Sequence, residues 1–511
     1  MLARAHTFTI EGLHTRPVTV EVDIRAGLPA FTIIGLADAA VREARERVQA
    51  AIRNSGYDFP ARRITANLAP GDVPKAGPGL DLAIACAVLA ASGQLPAELL
   101  ERHALYGELS LDGALRPSLG TLAVARATRR GRLSGLILAC GCARQAQLVE
   151  GIEVAGVQRL SSAVRVLGGG PGDPLPARAG VRPAARTEGA DGPDLSEVLG
   201  QHHAVHALVI AAAGAHNVLL SGPPGTGKTM LALRLGSILP ALSRTEAIEV
   251  TEIRSLTGIP AQDLASARPF RAPHHSITAA GLIGGASRGC VGEVVRAHNG
   301  VLFLDELSEF GRTALEALRQ PLEEGRVAIA RARHAEVYPT RFMLIAATNP
   351  CPCGYAGEGD RCRCSDGEVA RHRRRLSGPL LDRIDLHVDL HRECAHEPGQ
   401  RALTSSAQAR ERVMLARARQ SARLCGEGIV ATNAHMDLRM LRAHARLDAK
   451  GDQMLARARE GGLLSARGAH RLLRVARTIA DLDGSERVRA RDVGGALALR
   501  LEEGRTGGPG G

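Results

Sequence analysis

Hydrophobic and polar side chains follow different patterns along the first third of the chain, and each pattern predicts a different element. One-by-one alternation within residues 6–36, as in Val18-Thr-Val-Glu-Val22, predicts strands. Helical spacing predicts helices over 38–54, 79–91 and near 120–130. Short apolar runs at 104–111, 136–139 and 152–156 predict further strands. The mixed order of helices and strands predicts an α/β domain over residues 1–167.

The rest of the chain changes from an α/β pattern to an all-helical one. Helices are predicted at 202–213 and 230–239, and buried strands at 218–220, 301–304 and 342–348, which gives a second α/β domain over 195–395. Only helical spacing recurs over 396–500, at 406–424, 435–447, 451–459 and 465–482, which predicts a helical lid. Residues 168–194 are rich in Gly, Pro, Ala and Arg and predict a flexible linker, and the Gly-rich tail 501–511 is predicted to be disordered.

A glycine-rich segment separates the strand at 218–220 from the helix at 230–239. It fits the pattern in which glycines let backbone amides converge on phosphate oxygens, at the positive end of a helix. The lysine of the pattern would reach the β- and γ-phosphates, and the following hydroxyl would ligate Mg²⁺. The predicted nucleotide-binding residues are Gly222, Pro223, Pro224, Gly225, Thr226, Gly227, Lys228 and Thr229. This pattern predicts that a nucleoside triphosphate and Mg²⁺ bind here.

Two later strands end in polar residues suited to the same chemistry. The strand at 301–304 is followed by Asp305, which can hold the Mg²⁺ shell, and by Glu306, which can orient and deprotonate the attacking water. The strand at 342–348 is followed by Asn349, which can hydrogen-bond the water or the γ-phosphate. For the strand at 301–304, the alternative is an ordinary strand that happens to end in acidic residues. The phosphate loop that precedes it favours a role of these residues in hydrolysis.

Composition points to a polyanionic partner. The net charge is +12, and of 65 basic Lys and Arg residues only Lys75, Lys228 and Lys450 are lysine. A positive balance favours nucleic acid as a partner. A GC-rich genome would explain the preference for arginine over lysine, but it would not explain why the net charge is positive. We find no signal-peptide pattern and no apolar run long enough to cross a membrane, and we expect a cytoplasmic protein.

Four of the ten cysteines form two Cys-x-Cys pairs directly after Asn349. The four thiolates of Cys351, Cys353, Cys362 and Cys364 can surround Zn²⁺ tetrahedrally, which predicts a structural zinc site. Free reduced thiols are the alternative. A catalytic metal is not expected there, because a four-thiolate site has no open position.

The second α/β domain and its lid resemble the AAA+ ATPases. Residues 326–338 resemble the pore hairpin of helicase-type members, which would make Arg331, Arg333 and His334 DNA contacts, with a solvated turn as the alternative. Arg383 stands where this clade carries its arginine finger, which acts on the neighbouring subunit and implies a hexameric ring; an ion pair with Asp382 or Asp385 is the alternative. The second sensor would be Arg467, with Arg471 as the second choice.

Longer strings resemble one family, the magnesium-chelatase-like YifB/ComM proteins. They are Phe270-Arg-Ala-Pro-His-His275, Leu318-Arg-Gln-Pro-Leu-Glu-Glu324, Asn349-Pro-Cys-Pro-Cys-Gly354 and Leu376-Ser-Gly-Pro-Leu-Leu-Asp-Arg-Ile-Asp-Leu386. The resemblance covers nearly the whole chain. It implies a hexameric ATPase that acts on branched or single-stranded DNA, with branch migration in recombination and natural transformation as the activity of the ComM members.

Residues 73–79 and 107–117 resemble the Lon-protease (ribosomal protein S5 domain 2-like) fold. Lon enzymes carry a serine directly after the Gly-Pro of the first motif, where this chain has Gly79, and a lysine after the second motif, where this chain has none. We therefore predict a Lon-like domain without the catalytic dyad. Three other functions remain open: a metal-insertion or protein-remodelling ATPase, an ATP-dependent protease, and a structural DNA-binding ring.

Overall fold

A computed structural model describes residues 2–36, 38–75, 77–174, 193–256, 263–285, 291–330, 335–376, 378–391, 404–426 and 432–501. These residues fall into two compact units. The first unit contains the described residues of Met1–Pro183, Arg244–Ala265 and Ala330–Tyr338. The second contains those of Ala184–Ser243, Ser266–Ile329 and Pro339–Gly511. The predicted boundaries at 167, 194 and 395 remain a prediction, and most of the predicted linker 168–194 and tail 501–511 lies outside the described residues.

The N-terminal part of the first unit alternates strands and helices. Its elements are β1 (Leu2–Glu11), β2 (His14–Arg25), β3 (Ala30–Ile34), α1 (Ala39–Asn54), β4 (Arg63–Ala69), α2 (Asp81–Ala91), β5 (His103–Tyr106), β6 (Glu108–Leu109), β7 (Leu115–Arg116), α3 (Thr121–Arg130), β8 (Gly135–Ala139), α4 (Cys140–Ala146), β9 (Glu153–Val157) and α5 (Leu160–Leu167). The predicted single strand over 104–111 is wrong, because the chain leaves the main sheet after Tyr106 and forms β6, which pairs with β7.

The first unit is built on a mixed seven-stranded sheet in the order β3-β4-β2-β1-β5-β8-β9. Strands β1 and β2 pair antiparallel over the whole length of β1, whereas β5, β8 and β9 are parallel to one another. Helix α2 is apolar on every side after its first residue, Asp81, and all eleven of its residues are buried. A helix with this pattern belongs in the centre of a core. The prediction of an α/β fold here is confirmed, and its likeness to the Lon domain remains a prediction.

The middle of the chain supplies α6 (His202–Gly214), β10 (Val218–Ser221), α7 (Lys228–Ile238), α8 (Arg244–Leu256), β11 (Phe270–Arg271), α9 (Ala279–Ile283), α10 (Glu293–Arg296), β12 (Val301–Leu304), α11 (Arg312–Ala317), α12 (Arg319–Glu324), β13 (Arg326–Ala330), β14 (Ala335–Pro339), β15 (Met343–Thr348), α13 (Asp366–Arg375), α14 (Gly378–Leu381) and β16 (Leu386–Asp389). Helix α8, which was not predicted, belongs to the first unit. There Glu252 accepts two hydrogen bonds of 2.7 Å from Arg126 of α3, and Ile248 packs against the core beside it.

The second unit is built on a parallel five-stranded sheet in the order β11-β12-β15-β10-β16. In the register of this sheet, Ser221 at the end of β10 pairs with Thr348 at the end of β15, and Leu304 at the end of β12 pairs with Ala346. The carboxyl ends of these three strands therefore lie along one edge, which is where parallel α/β sheets bind ligands. The phosphate loop, the Asp305–Glu306 pair and Asn349 all begin at this edge.

The C-terminal region is helical, as predicted. It contains α15 (Ser406–Arg423), α16 (Leu438–His444), α17 (Ala449–Glu460), α18 (Ala466–Leu482) and α19 (Ala490–Leu501). Helix α16 is shorter than the predicted 435–447. Side chains of α15 and α18, among them Val413, Leu472 and Val475, share one hydrophobic core with α6, α7 and β10. No helix within the described ranges combines the length and apolarity needed to cross a membrane.

The glycine at the serine position of the Lon motif faces an aromatic ring. A Cβ atom added to Gly79 would lie 2.7 Å from Cζ of Tyr106. We therefore expect Gly79→Ser to lower the free energy of unfolding by about 1–3 kcal/mol through overpacking, without creating a protease. Thermal unfolding and casein hydrolysis measure the two effects. Gly71→Ser is the matched control, because a Cβ at Gly71 meets nothing within 4 Å. Casein cleavage by the Gly79→Ser protein would contradict this expectation.

Candidate nucleotide-binding site

The phosphate loop follows the buried strand β10 and ends where α7 begins. Gly222 allows a close approach, because an added Cβ would lie 2.9 Å from the Cβ of Leu390 and closer still to the Leu390 carbonyl oxygen. Gly227 caps α7 with a φ of 86°, a conformation that favours glycine. The loop therefore presents its backbone at the amino terminus of α7, as the sequence predicts.

Lys228 lies over this loop. Its Nζ donates to the carbonyl oxygens of Gly222 at 2.6 Å and Pro223 at 2.8 Å. Burial lowers the pKa of Lys228, and the negative charges of Asp305 and Glu306 act in the opposite direction. The ammonium group is thus held against the phosphate loop, within the electrostatic influence of both carboxylates.

Thr229 and Asp305 meet at the carboxyl edge of the sheet. The hydroxyl of Thr229 donates to Oδ2 of Asp305 at 2.7 Å, and Oδ1 of Asp305 accepts from the amide of Glu306 at 3.0 Å. These two residues lie 76 positions apart in sequence. A hydroxyl and a carboxylate in contact fit the oxygen ligands that Mg²⁺ prefers, so both predicted magnesium ligands are brought together.

Glu306 projects from a strained backbone position. Its φ is 52°, uncommon for a residue with a side chain, and its side chain is 56% exposed. Nδ1 of His275 lies 3.6 Å from its Oε2. The His275 ring contacts the rings of His274 and Phe310, with centroids 4.0 and 6.5 Å away. His275 was noted in the sequence only as part of a family string, and its position beside Glu306 is visible only in the structure.

Asn349 directly follows β15. Its carbonyl oxygen accepts from the hydroxyl of Thr348 at 3.2 Å and lies 3.0 Å from Nε2 of His372 in α13. The sheet thus brings Asn349 to the same edge as the phosphate loop and the Asp305–Glu306 pair.

Arg383 forms an ion pair that the sequence did not predict. Its guanidinium donates to Oε1 of Glu323 in α12 and to the carbonyl oxygen of Pro379, whereas Asp382 or Asp385 was the expected alternative partner. The hydrogen bond from Arg383 lowers the pKa of Glu323, and the charges of Arg383, Arg467 and Arg471 lower it further. Both candidates for the second sensor, Arg467 and Arg471, lie in the helix Ala466–Leu482.

A buried polar cluster joins the base of the sheet to the helical region. Oδ2 of Asp385 accepts from the amide of Asn217 at 3.1 Å and lies 3.4 Å from Nδ1 of His216. Nε2 of His216 lies 2.8 Å from the hydroxyl of Thr478 in α18, and Arg471 approaches Oδ1 of Asp385 at 3.4 Å. Burial opposes the charge of Asp385, but the adjacent His216 ring and the positive charges of Arg471 and Arg474 hold its pKa at about 2.

We expect Asp385→Asn to lower the free energy of unfolding by about 2 kcal/mol at pH 7, from the difference between the pKa values of the folded and unfolded states. Because the folded-state pKa is depressed from 3.8 to about 2, this stabilisation is present above about pH 4 and is lost as the pH falls toward about 2. Urea denaturation followed by circular dichroism measures it, since the chain has no Trp. The exposed neighbour Asp382→Asn is the control, and an equal loss in both variants would contradict the prediction.

The four clustered cysteines come together. Cys351 and Cys353 have their sulfurs 3.4 Å apart, and Cys362 lies 3.9 and 3.8 Å from them. All four sulfurs, including that of Cys364, lie within 4.8 Å of one another. A zinc ion with Zn–S distances of about 2.3 Å separates its ligands by about 3.8 Å. Backbone hydrogen bonds from Tyr355 and Arg363 lower the pKa of Cys353, whereas hydrogen bonds between the sulfurs outweigh the backbone donors and raise the pKa of Cys362 and of Cys364. The residues fit a tetrahedral thiolate site.

The predicted DNA contacts Arg331, Arg333 and His334 lie outside the described residues. Strands β13 and β14 lie on either side of them, as a hairpin requires.

Comparisons with known proteins place the chain in a family. Models of "Magnesium chelatase, subunit ChlI" and of its C-terminal region match residues 194–397 and 403–500, and a further model of subunit ChlI matches residues 20–141. The chain is 42% identical to YifB of Escherichia coli and 41% identical to competence protein ComM of Haemophilus influenzae. Each match covers 98% of this chain and 97% of the relative. The magnesium-chelatase 67 kDa subunit of Chlorobaculum tepidum is 28% identical over 200 residues, 38% of this chain and 26% of that subunit.

The parallel sheet, the phosphate loop at its carboxyl edge and the helical C-terminal region define an AAA+ ATPase of the magnesium-chelatase type. The chain belongs to the YifB/ComM family of these proteins, as its sequence strings predicted.

Proposed function

We propose that this AAA+ ATPase is a hexameric motor that uses ATP hydrolysis to move along DNA and that its activity is branch migration in recombination. The observation that carries the ATP-dependent part is the contact of Thr229 with Asp305, with Glu306 and Lys228 beside it. Thr229 and Asp305 would hold Mg²⁺, which neutralises developing phosphate charge. Glu306 would take the proton of the attacking water, Asn349 would orient it, and Lys228 would bind the transferred phosphate.

The DNA-dependent part rests on three observations. The chain matches competence protein ComM over 98% of its length, and its net charge is +12. Helix α13 also presents the exposed side chains of Arg371, Arg373 and Arg374. Basic residues of this kind bind phosphates without reading sequence. Arg331, Arg333 and His334 remain the proposed pore contacts, and Arg383 and Arg467 the proposed finger and sensor.

Structural zinc at the four cysteines is part of the same proposal. The sulfur separations, with the backbone donors to Cys353, support it. Bound zinc would cross-link the loop that carries these four residues.

One observation favours a different function. The family models and the Chlorobaculum subunit carry the name of magnesium chelatase, which supports a metal-insertion or protein-remodelling ATPase as the alternative. A DNA-stimulated ATPase rate separates the two, because a remodelling enzyme needs no DNA. The full-length similarity to ComM and the positive charge make the DNA motor the better-supported function.

The decisive experiment is branch migration on a labelled mobile Holliday junction. We expect ATP-dependent conversion of the junction by the wild-type protein and none by Lys228→Ala, which removes the phosphate-binding ammonium. Lys450→Ala serves as the control for loss of a lysine elsewhere. A wild-type protein that hydrolyses ATP and forms rings, yet leaves the junction intact, would overturn the helicase proposal.

A further inference from the structure

The loop over residues 351–364 has little apolar packing of its own. Cys351 and Gly354 are buried, but the other residues are partly or fully exposed. Its only regular element is the short 3-10 turn Gly359–Arg361. A segment without a core needs a cross-link to keep one conformation, and the four sulfurs provide the place for it.

Both ends of this loop are anchored at Asn349. Cys351 follows Asn349 by two residues. At the other end, α13 starts after Cys364, with Ser365 and Glu368 forming a capping box that fixes its first turn. The buried His372 of α13 then places its Nε2 3.0 Å from the carbonyl oxygen of Asn349. The loop, Asn349 and α13 therefore form one closed arrangement.

The middle of the loop lies on the phosphate loop. Gly354 has a φ of 88°, and an added Cβ would lie 2.6 and 2.7 Å from the Cδ and Cγ of Pro224 and 3.9 Å from Cγ of Asn349. The backbone of Gly354 therefore approaches the ring of Pro224 too closely for any side chain and lies near the carboxamide of Asn349.

From these contacts we infer that the cysteine loop, when cross-linked by a metal ion, is the positioning element for Asn349 and Pro224. ATP hydrolysis thereby depends on that metal. The inference rests on the proposed ATPase and zinc sites. The phosphate loop is fixed at its two ends by β10 and α7. Loss of the cross-link is therefore expected to displace Asn349 and slow hydrolysis while ATP binding changes little. A displacement of about 1 Å in a catalytic group lowers the rate by about 100-fold.

The test compares cysteine variants of the full-length protein by three measurements: zinc per chain by atomic absorption, binding of a fluorescent ATP analogue, and kcat without DNA. We expect wild type to hold one zinc per chain. Cys362→Ser, grown with zinc, is expected to lose the metal and about 100-fold in kcat while its Kd for the analogue changes by less than about tenfold. Cys425→Ser, at an exposed cysteine outside the cluster, is expected to match wild type in all three.

A second pair of variants separates the contact from the metal itself. Gly354→Ala retains all four sulfurs but places a Cβ against Pro224, so we expect it to keep zinc and lose kcat. Gly357→Ala is matched in backbone strain, with a φ of 92°, but meets nothing within 4 Å. We expect Gly357→Ala to keep both zinc and activity. A loss of kcat in Gly354→Ala alone would then come from the contact with Pro224 and not from a general disturbance of the loop.

Several results would overturn the inference. They are wild-type protein without metal after growth in zinc, a metal-free Cys362→Ser that hydrolyses ATP at the wild-type rate, and equal kcat values for Gly354→Ala and Gly357→Ala. Failure of the DNA proposal gives a different result: wild type hydrolyses ATP and loses that activity with the metal, yet moves no junction. A wild-type protein that never hydrolyses ATP would overturn both.

Discussion

Replacing Arg383 with alanine is expected to lower the rate of ATP hydrolysis by roughly 10³–10⁵, with little change in ATP binding. In the chain described here, Arg383 is paired with Glu323 and is only 11% exposed as a side chain. As a finger, its guanidinium would leave this carboxylate for the more strongly charged γ-phosphate of the neighbouring subunit. The measurement is kcat together with the Kd of a fluorescent ATP analogue.

Mixing two inactive proteins tests whether Arg383 acts on a neighbour. Lys228→Ala keeps the finger but not the phosphate-binding lysine, and Arg383→Ala has the reverse defect. In rings formed from an equal mixture, each subunit position is filled at random. About one quarter of the interfaces then combine the intact site of an Arg383→Ala subunit with the intact finger of a Lys228→Ala subunit. Activity is expected to return in the mixture. Arg312→Ala, which removes an 84% exposed arginine side chain, is the control for Arg383→Ala and should hydrolyse ATP at the wild-type rate. A mixture as inactive as its parts would rule out action in trans.

Glu306→Gln is expected to lower kcat by about 10²–10⁴ and to leave ATP bound at the site. The amide keeps the size of the side chain but cannot take a proton from water. The hydroxyl of Thr229 and the carboxylate of Asp305 remain in contact, so the proposed magnesium ligands are retained. Single-turnover hydrolysis and analogue binding measure the two properties separately.

Glu309→Gln is the matched control for this variant. Glu309 lies three residues further on, is 48% exposed and has its Oε1 3.6 Å from Nη1 of Arg375. We expect near-normal hydrolysis from it. If Glu306→Gln hydrolysed ATP as fast as Glu309→Gln, another residue would have to be the base.

Local patterns were sufficient for most of the nucleotide site. The order of strand, glycine loop and helix is a property of consecutive residues, and β10 and α7 were found within two residues of the predicted bounds. The buried strand before Asp305 and the strand before Asn349 were identified in the same way. Apolar runs and glycine positions act within a few residues, so the sequence alone identified these elements and the family.

Elements whose ends depend on distant contacts were predicted less well. The strand predicted over 104–111 ends at Tyr106 because the following residues pair with Leu115–Arg116 instead of the main sheet. Helix α8 was missed, although the structure packs it in the first unit, where Arg126 binds Glu252. Neither contact can be inferred from neighbouring residues.

The sequence by itself determined which residues can bind phosphate, ligate magnesium and present thiolates. Only the tertiary structure decided which of them meet. The strand order β11-β12-β15-β10-β16 places β10 beside β15 and β16, which come more than 100 residues later, and this order brings Asn349 to the edge that carries Lys228. The structure also brings His275 to Glu306 and Glu323 to Arg383. Contacts between residues far apart in sequence arise from the packing of the whole sheet, and no local pattern records them.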